Sequence, residues 1–144
     1  MTELVTGGFG QGKLTWVLNN RRAGYWQNIK ITDENSDIAD LNAFIPENEL
    51  FMKDKTLYII NHLHLIIKSK GREQTLLWLN GLISRCSQSG SSLIIICDEL
   101  GCGIIPLDAS DRQYREDVGR IMCSLAEKAG HVYRVICGIG QKLK

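Results

Sequence analysis

The run Gly7-Gly8-Phe9-Gly10-Gln11-Gly12-Lys13 constrains this chain more than any other feature. It follows a short β-like segment, Leu4-Val5-Thr6, and precedes Leu14 to Asn20, which reads as helix. Gly7, Gly12 and Lys13 satisfy G-x-x-x-x-G-K, the opening of the phosphate-loop signature, in the strand, turn and helix context that the signature requires. Glycines let backbone N–H groups curl around phosphate oxygens, the helix N-terminus adds positive potential, and a lysine reaches the terminal phosphates. The expected contacts to a triphosphate are Gly7, Gly8, Phe9, Gly10, Gln11, Gly12, Lys13, Leu14 and Thr15, with Lys13 in a catalytic role. The plain alternative is a glycine-rich turn that only tightens a strand-to-helix connection. A dinucleotide fingerprint fits worse, since Lys13 stands where the third glycine of G-x-G-x-x-G would fall.

The rest of the chain alternates strand-like and helix-like segments. Strands are expected at Asn28 to Thr32, Thr56 to Asn61, Leu93 to Cys97 and His131 to Cys137, the third being the most apolar, as a central parallel strand requires. Between them, Leu76, Leu79, Leu82, Ile83 and Cys86 recur at helical spacing, as do Tyr114, Val118, Ile121, Met122, Leu125 and Ala129. Ser36 suits the cap of a short helix from Asp37 to Phe44 that Pro46 ends, and Ser110 with Gln113 suggests a capping box for the last helix. The expectation is one α/β domain over residues 1–144, a P-loop NTPase-like, mostly parallel sheet covered by helices.

The chemistry around the loop is uneven. The signature should close with Ser or Thr, whose hydroxyl ligates Mg²⁺, but Leu14 stands there and Thr15 comes one residue late, about 100° further around a helix. The Mg²⁺ site is expected to be weakened. A second acidic group belongs at the end of a neighbouring strand. The strand ending at Asn61 offers only an amide, whereas the one ending in Asp98 and Glu99 offers two carboxylates. Asp98 and Glu99 are the candidate metal residues, and Glu99 is also a candidate catalytic residue; the alternative is a polar strand exit. His62 and His64 share a face only if the chain stays extended, and otherwise read as histidines of a loop or helix start.

Composition excludes several classes. With 17 basic and 16 acidic residues spread along the chain, nothing marks a nucleic-acid or anionic-lipid surface. No window approaches the roughly 20 apolar residues of a membrane helix, and Met1 to Thr6 lacks a leader pattern, so a cytoplasmic protein is expected. The cysteines form no CxxC pair. Cys97 and Cys137 lie in apolar runs and Cys86 and Cys123 on apolar helix faces, where thiols act as small hydrophobes.

Three segments together resemble the adenosylcobinamide kinase and adenosylcobinamide-phosphate guanylyltransferase family of cobalamin assembly. They are Cys97-Asp98-Glu99-Leu100-Gly101-Cys102-Gly103-Ile104-Ile105-Pro106, the helix from Asp111 to Arg120, and Cys137-Gly138-Ile139-Gly140-Gln141-Lys142. Glu99, Gly101, Gly103, Pro106, Arg115, Asp117, Gly119, Arg120, Gly138, Gly140 and Lys142 occupy matching places, with Glu116 standing between Arg115 and Asp117. With Val5 to Gly8, the resemblance covers a little under half of the chain. It implies a P-loop α/β domain, often assembled as a trimer, that takes GTP or ATP with Mg²⁺ and adenosylcobinamide. The family phosphorylates that corrinoid and then transfers GMP to the product through a guanylylated histidine.

This chain departs from the family at Leu14, at Asn61 in place of a strand-end Glu, and between Thr32 and Lys55, where no His or Arg matches the paired-histidine segment. The guanylyl-transfer histidine has no counterpart. The resemblance therefore implies an enzyme with part of the two-step activity, or a degenerate relative that binds nucleotide or corrinoid without turnover and serves as a partner or sensor; a P-loop protein with another substrate is a third reading.

Overall fold

The computed structural model describes residues 1–20, 26, 28–36, 56–101 and 103–144. Among the described residues six strands form one sheet: β1 (Thr2–Gly7), β2 (Asn28–Thr32), β3 (Thr56–Ile60), β4 (Ser92–Asp98), β5 (His131–Ile136) and β6 (Ile139–Lys142). The described helices are α1 (Lys13–Asn20), α2 (Leu63–Lys70), α3 (Arg72–Ser89) and α4 (Ala109–Lys128). The strand order is β2-β3-β4-β1-β5-β6, parallel throughout except for the β5–β6 hairpin. The expected mostly parallel α/β sheet is what the chain forms.

The strands are apolar on both sides because both sides are covered. Leu4, Tyr58, Ile60, Leu93, Ile95, Cys97 and Val132 face a core completed by Leu63, Ile66 and Ile67 of α2, Leu79, Leu82 and Cys86 of α3, and Val118, Ile121 and Leu125 of α4. Val5, Leu57, Ile59, Ile94, Ile96 and Val135 face the other way, onto Val17 of α1. Adjacent residues of one strand thus serve opposite layers, as the two-residue period of a strand demands. Each fully buried Leu or Ile contributes about 1.5–3 kcal/mol relative to exposure.

Three expectations need correction. The last helix is capped by Asp108, whose carboxylate accepts from the Ser110 N–H at 2.7 Å, so Ser110 lies inside the helix. Asp108 wins because a carboxylate at the helix N-terminus also meets the positive end of the helix dipole. His131 begins a strand that stops at Ile136, and Cys137 turns back into β6. Its φ of 51° and the 77° of Gly138 are the paired positive values of a two-residue hairpin turn. Cys137 and Cys123 are accordingly exposed, whereas Cys86 and Cys97 are buried as expected. Of the two readings of His62 and His64, the helix start is the one the chain adopts, because α2 begins at Leu63 with His62 at its N-cap. The helix expected from Asp37 to Phe44, with its stop at Pro46, lies outside the described residues.

Candidate phosphate-binding site

The C-terminal ends of β1, β2, β3 and β4 lie along one edge of the sheet, since parallel registers pair Gly7 with Asp98, Ile60 with Ile95 and Thr32 with Ile60. Open α/β sheets bind ligands at this edge. The chain leaving β1 forms the glycine-rich loop. Gly10 and Gly12 have φ of 69° and 75°, left-handed values that glycine adopts without the Cβ penalty. Gly7 has φ of 150°, and a Cβ there would lie 2.3 Å from the Val135 carbonyl oxygen, so the position admits nothing larger. The Trp16 N–H donates to the Gly12 carbonyl at 2.8 Å, closing the first turn of α1 directly behind the loop.

The β5–β6 turn holds the loop from the side. The Cys137 N–H donates to Gln11 Oε1 at 2.6 Å and the Gly138 N–H to the Gln11 carbonyl at 3.0 Å. Under the hairpin, the Trp16 ring lies so close to Gly140 that a Cβ there would come within 2.2 Å of it. Gly138 therefore serves the turn and Gly140 the packing, a physical account of the two glycines in this part of the sequence.

Lys13 is buried, and its ammonium donates to the Gly8 carbonyl at 2.7 Å and pairs with Asp98 Oδ1, also at 2.7 Å. A buried pair of this kind is weak evidence for stability, because desolvation offsets the attraction, but it holds both groups in one place. On the far side of Asp98, His64 accepts from the Asp98 backbone N–H through Nδ1 at 3.4 Å, while its Nε2 stands 3.8 Å from Asp98 Oδ2. Burial lowers the His64 pKa below the ordinary value, with the Asp98 charge opposing that shift. The neutral ring with its proton on Nε2 fits both contacts.

Lys13 and Asp98 line a cavity of about 400 Å³ together with Phe9, Gly10, Gln11, Gly12, Leu14, Thr15, Asn61 and His62. Gly7 and Gly8 form the strand end and the Lys13 contact behind it. Leu14 also packs against the α1-side core, and Thr15 is exposed at the cavity. Glu99 is placed differently from Asp98. Arg134 grips its carboxylate from β5, with Nε 3.0 Å from Oε1 and Nη2 2.7 Å from Oε2, and the Thr6 hydroxyl donates to Oε1 at 3.4 Å. Glu99 lines a second cavity, of about 290 Å³, with Leu100, Arg115, Val118 and Met122, and Asp98 borders both cavities. Successive residues leaving a strand point to opposite sides, so the two adjacent carboxylates meet different cations, Lys13 and Arg134. Among the described residues, no group of three or more His, Cys, Asp or Glu is arranged to hold a metal ion.

One site residue was not legible in the sequence. Glu34, in the turn after β2, puts its carboxylate 3.0 and 3.2 Å from His62 Nδ1. His62 itself sits at φ 50° and ψ 45°, left-handed values that cost a non-glycine residue roughly 1–2 kcal/mol. Asp33-Glu34-Asn35 carries turn chemistry, but only the β2–β3 register reveals which side chain that turn presents to His62.

The model of the family described as cobinamide kinase / cobinamide phosphate guanyltransferase matches residues 17–143. This chain belongs to that family. It is 33% identical over 66 residues to the bifunctional adenosylcobalamin biosynthesis protein CobU of Escherichia coli (strain K12), a stretch that covers 46% of this chain and 36% of that protein. It is 35% identical over 63 residues to the Salmonella typhimurium protein of the same name, covering 44% of this chain and 35% of the relative. The matched segment therefore spans about a third of the length of either curated relative. Among solved structures, the cytoplasmic domain of the Thermomonospora curvata type VII secretion ATPase EccC superposes with a TM-score of 0.51 at 13% identity, over 93% of this chain and 19% of that one. At that identity the likeness speaks for the fold alone, a P-loop-like one. No helix among the described residues is long and apolar enough to cross a membrane.

Proposed function

We propose that this chain binds a nucleoside triphosphate, GTP or ATP, along Gly7 to Thr15 and uses it in the kinase half of the chemistry its family is named for, with adenosylcobinamide as phosphoryl acceptor. The observation that carries this reading is the Lys13 ammonium, held 2.7 Å from Asp98 at the mouth of α1 and facing a cavity walled by the glycine-rich loop. A triphosphate entering that cavity would exchange the Asp98 contact for phosphate oxygens and leave Asp98 free for a cation.

Mg²⁺, which supplies charge neutralisation during phosphoryl transfer, fits the residues present only in part. Asp98 and Thr15 line the cavity, whereas Leu14 offers no oxygen and Glu99 is held by Arg134. Phosphate oxygens and water would complete such a shell. Leu14 is also what favours a second reading, binding without turnover, since its side chain belongs to the core beneath the loop.

Calorimetric titration with GTP and ATP, with and without Mg²⁺, tests the proposal. Lys13→Ala should abolish measurable affinity. Because that change leaves the buried Asp98 uncompensated, Gly10→Asp provides a fold-preserving companion. Its Cβ meets nothing within 4 Å, and aspartate tolerates a left-handed φ while repelling phosphate. Unchanged affinity in both variants would refute phosphate binding at this loop, and tight binding without phosphorylation of adenosylcobinamide selects the second reading.

A further inference from the structure

We infer that His62 is the general base of this site and that Glu34 is its positioning residue, an inference that rests on triphosphate binding at the adjacent loop. Phosphoryl transfer to an alcohol asks little covalent chemistry of the protein, but the acceptor hydroxyl must lose its proton. Of the described side chains lining the cavity, Phe9, Leu14 and Gln11 hold no usable proton acceptor, Lys13 is a cation, and Thr15 and Asn61 are poor bases. Asp98 is a base in principle, but it pairs with Lys13 at 2.7 Å before a triphosphate enters and would be taken up by the cation once Lys13 turns to the phosphates. That leaves His62.

The geometry around His62 has the form that base catalysis needs. Glu34, which as a carboxylate accepts and cannot donate, stands 3.0 and 3.2 Å from Nδ1, which places the ring proton there and leaves the Nε2 lone pair unused. No described group bonds Nε2. The carboxylate also stabilises the imidazolium that forms when Nε2 takes a proton, the role an orienting acid plays beside a catalytic histidine. The left-handed backbone of His62, immediately before α2, is the kind of strain that persists at functional positions. His62 is 42% exposed and Glu34 25%, so the ring touches both the cavity and solvent.

The step balances as follows. The acceptor oxygen forms a bond to the γ-phosphorus, the bond from that phosphorus to the β,γ-bridging oxygen breaks, and its electron pair leaves with the nucleoside diphosphate. The hydroxyl proton passes to His62 Nε2 and from there to solvent. No bond forms between His62 and phosphorus.

The test uses the full chain with Mg²⁺ and ATP or GTP. Triphosphate binding is followed by calorimetry, and turnover by phosphorylation of adenosylcobinamide and by phosphate release to water. Two variants suit the left-handed backbone, His62→Gly and His62→Asn. Both should lower kcat by about 10²- to 10⁴-fold and leave triphosphate affinity within about twofold, as expected when only transition-state stabilisation is lost. Added imidazole should restore part of the His62→Gly rate, which a purely structural histidine would not permit. Glu34→Gln should lower kcat by a smaller factor without raising KM, and combining it with His62→Asn should add nothing to the loss.

Wild-type turnover in the His62 variants overturns the inference, as does a loss confined to triphosphate affinity. Radiolabel from the nucleotide retained covalently on His62 overturns it in favour of a nucleophile. Binding without transfer to either acceptor by the unaltered chain overturns it while leaving the nucleotide site intact. Failure of the unaltered chain to bind triphosphate removes the nucleotide reading and this inference together.

Discussion

At the scale of single residues, burial decides what each ionisable group can do. His64 is buried with its pKa held below the ordinary value, mainly by desolvation. Above about pH 6.5 both folded and unfolded chains carry this ring neutral. As the pH falls, the unfolded chain gains a proton that the folded chain refuses, so stability declines until the depressed folded pKa is reached. Urea midpoints at pH 7.5 and 5.5 should therefore fall more for the wild type than for His64→Asn, and equal falls would mean that His64 does not contribute. The Cys97 thiol is pushed up to about 12 by its burial, with the neighbouring Asp98 charge adding to the shift. A thiol kept protonated is a poor nucleophile. Disulfide-forming reagents on the native protein should therefore label Cys123 and Cys137 and spare Cys86 and Cys97. Mass spectrometry of the labelled peptides reads this directly, and modification of Cys97 as fast as Cys137 would contradict the packing of β4.

At the scale of elements, the glycine-rich loop depends on its neighbours. It is shaped by its own glycines, but Gln11 is tied to the β5–β6 turn and Trp16 lies across Gly140 and packs on Tyr133 at 5.1 Å. A methyl group at residue 140 has to displace a large ring in a packed layer, and overpacking of that kind costs about 1–3 kcal/mol. Gly140→Ala should lower stability in thermal or urea unfolding by that amount, and Trp16→Leu in the same chain should recover part of it. A neutral Gly140→Ala would mean that the Trp16 ring moves aside without cost. The helix cap follows the same logic, since Asp108 meets an N–H that Ser110 cannot, being the residue that carries it.

At the scale of the whole molecule, the site exists because four parallel strands end along one edge. Lys13 follows β1, Glu34 follows β2, His62 follows β3 and Asp98 ends β4, so residues far apart in sequence meet at adjacent strand ends. The α2, α3 and α4 layer holds that edge in place from below: the Tyr114 hydroxyl of α4 donates to the His64 carbonyl of α2 at 2.8 Å. The fold that brings these strand ends together is shared in outline with an ATPase domain only 13% identical.

Much of this was legible in the sequence because it rests on local or periodic causes. The two-residue alternation of buried strands, the helical stripes of α3 and α4, and the strand, glycine turn and lysine of the loop are all set by near neighbours. Family membership was readable because Glu99 to Pro106 and Gly138 to Lys142 keep their spacing along the chain. What tertiary structure alone decided are the pairings between distant strand ends: which of two adjacent carboxylates meets Lys13, that Arg134 takes the other, and that Glu34 meets His62. It also decided that His62 adopts left-handed backbone and that Cys137 sits in a turn. The reason is physical. A residue's type and spacing limit its conformation and its face, but the partner it meets across a sheet is set by strand order and register, which no local stretch of chain contains.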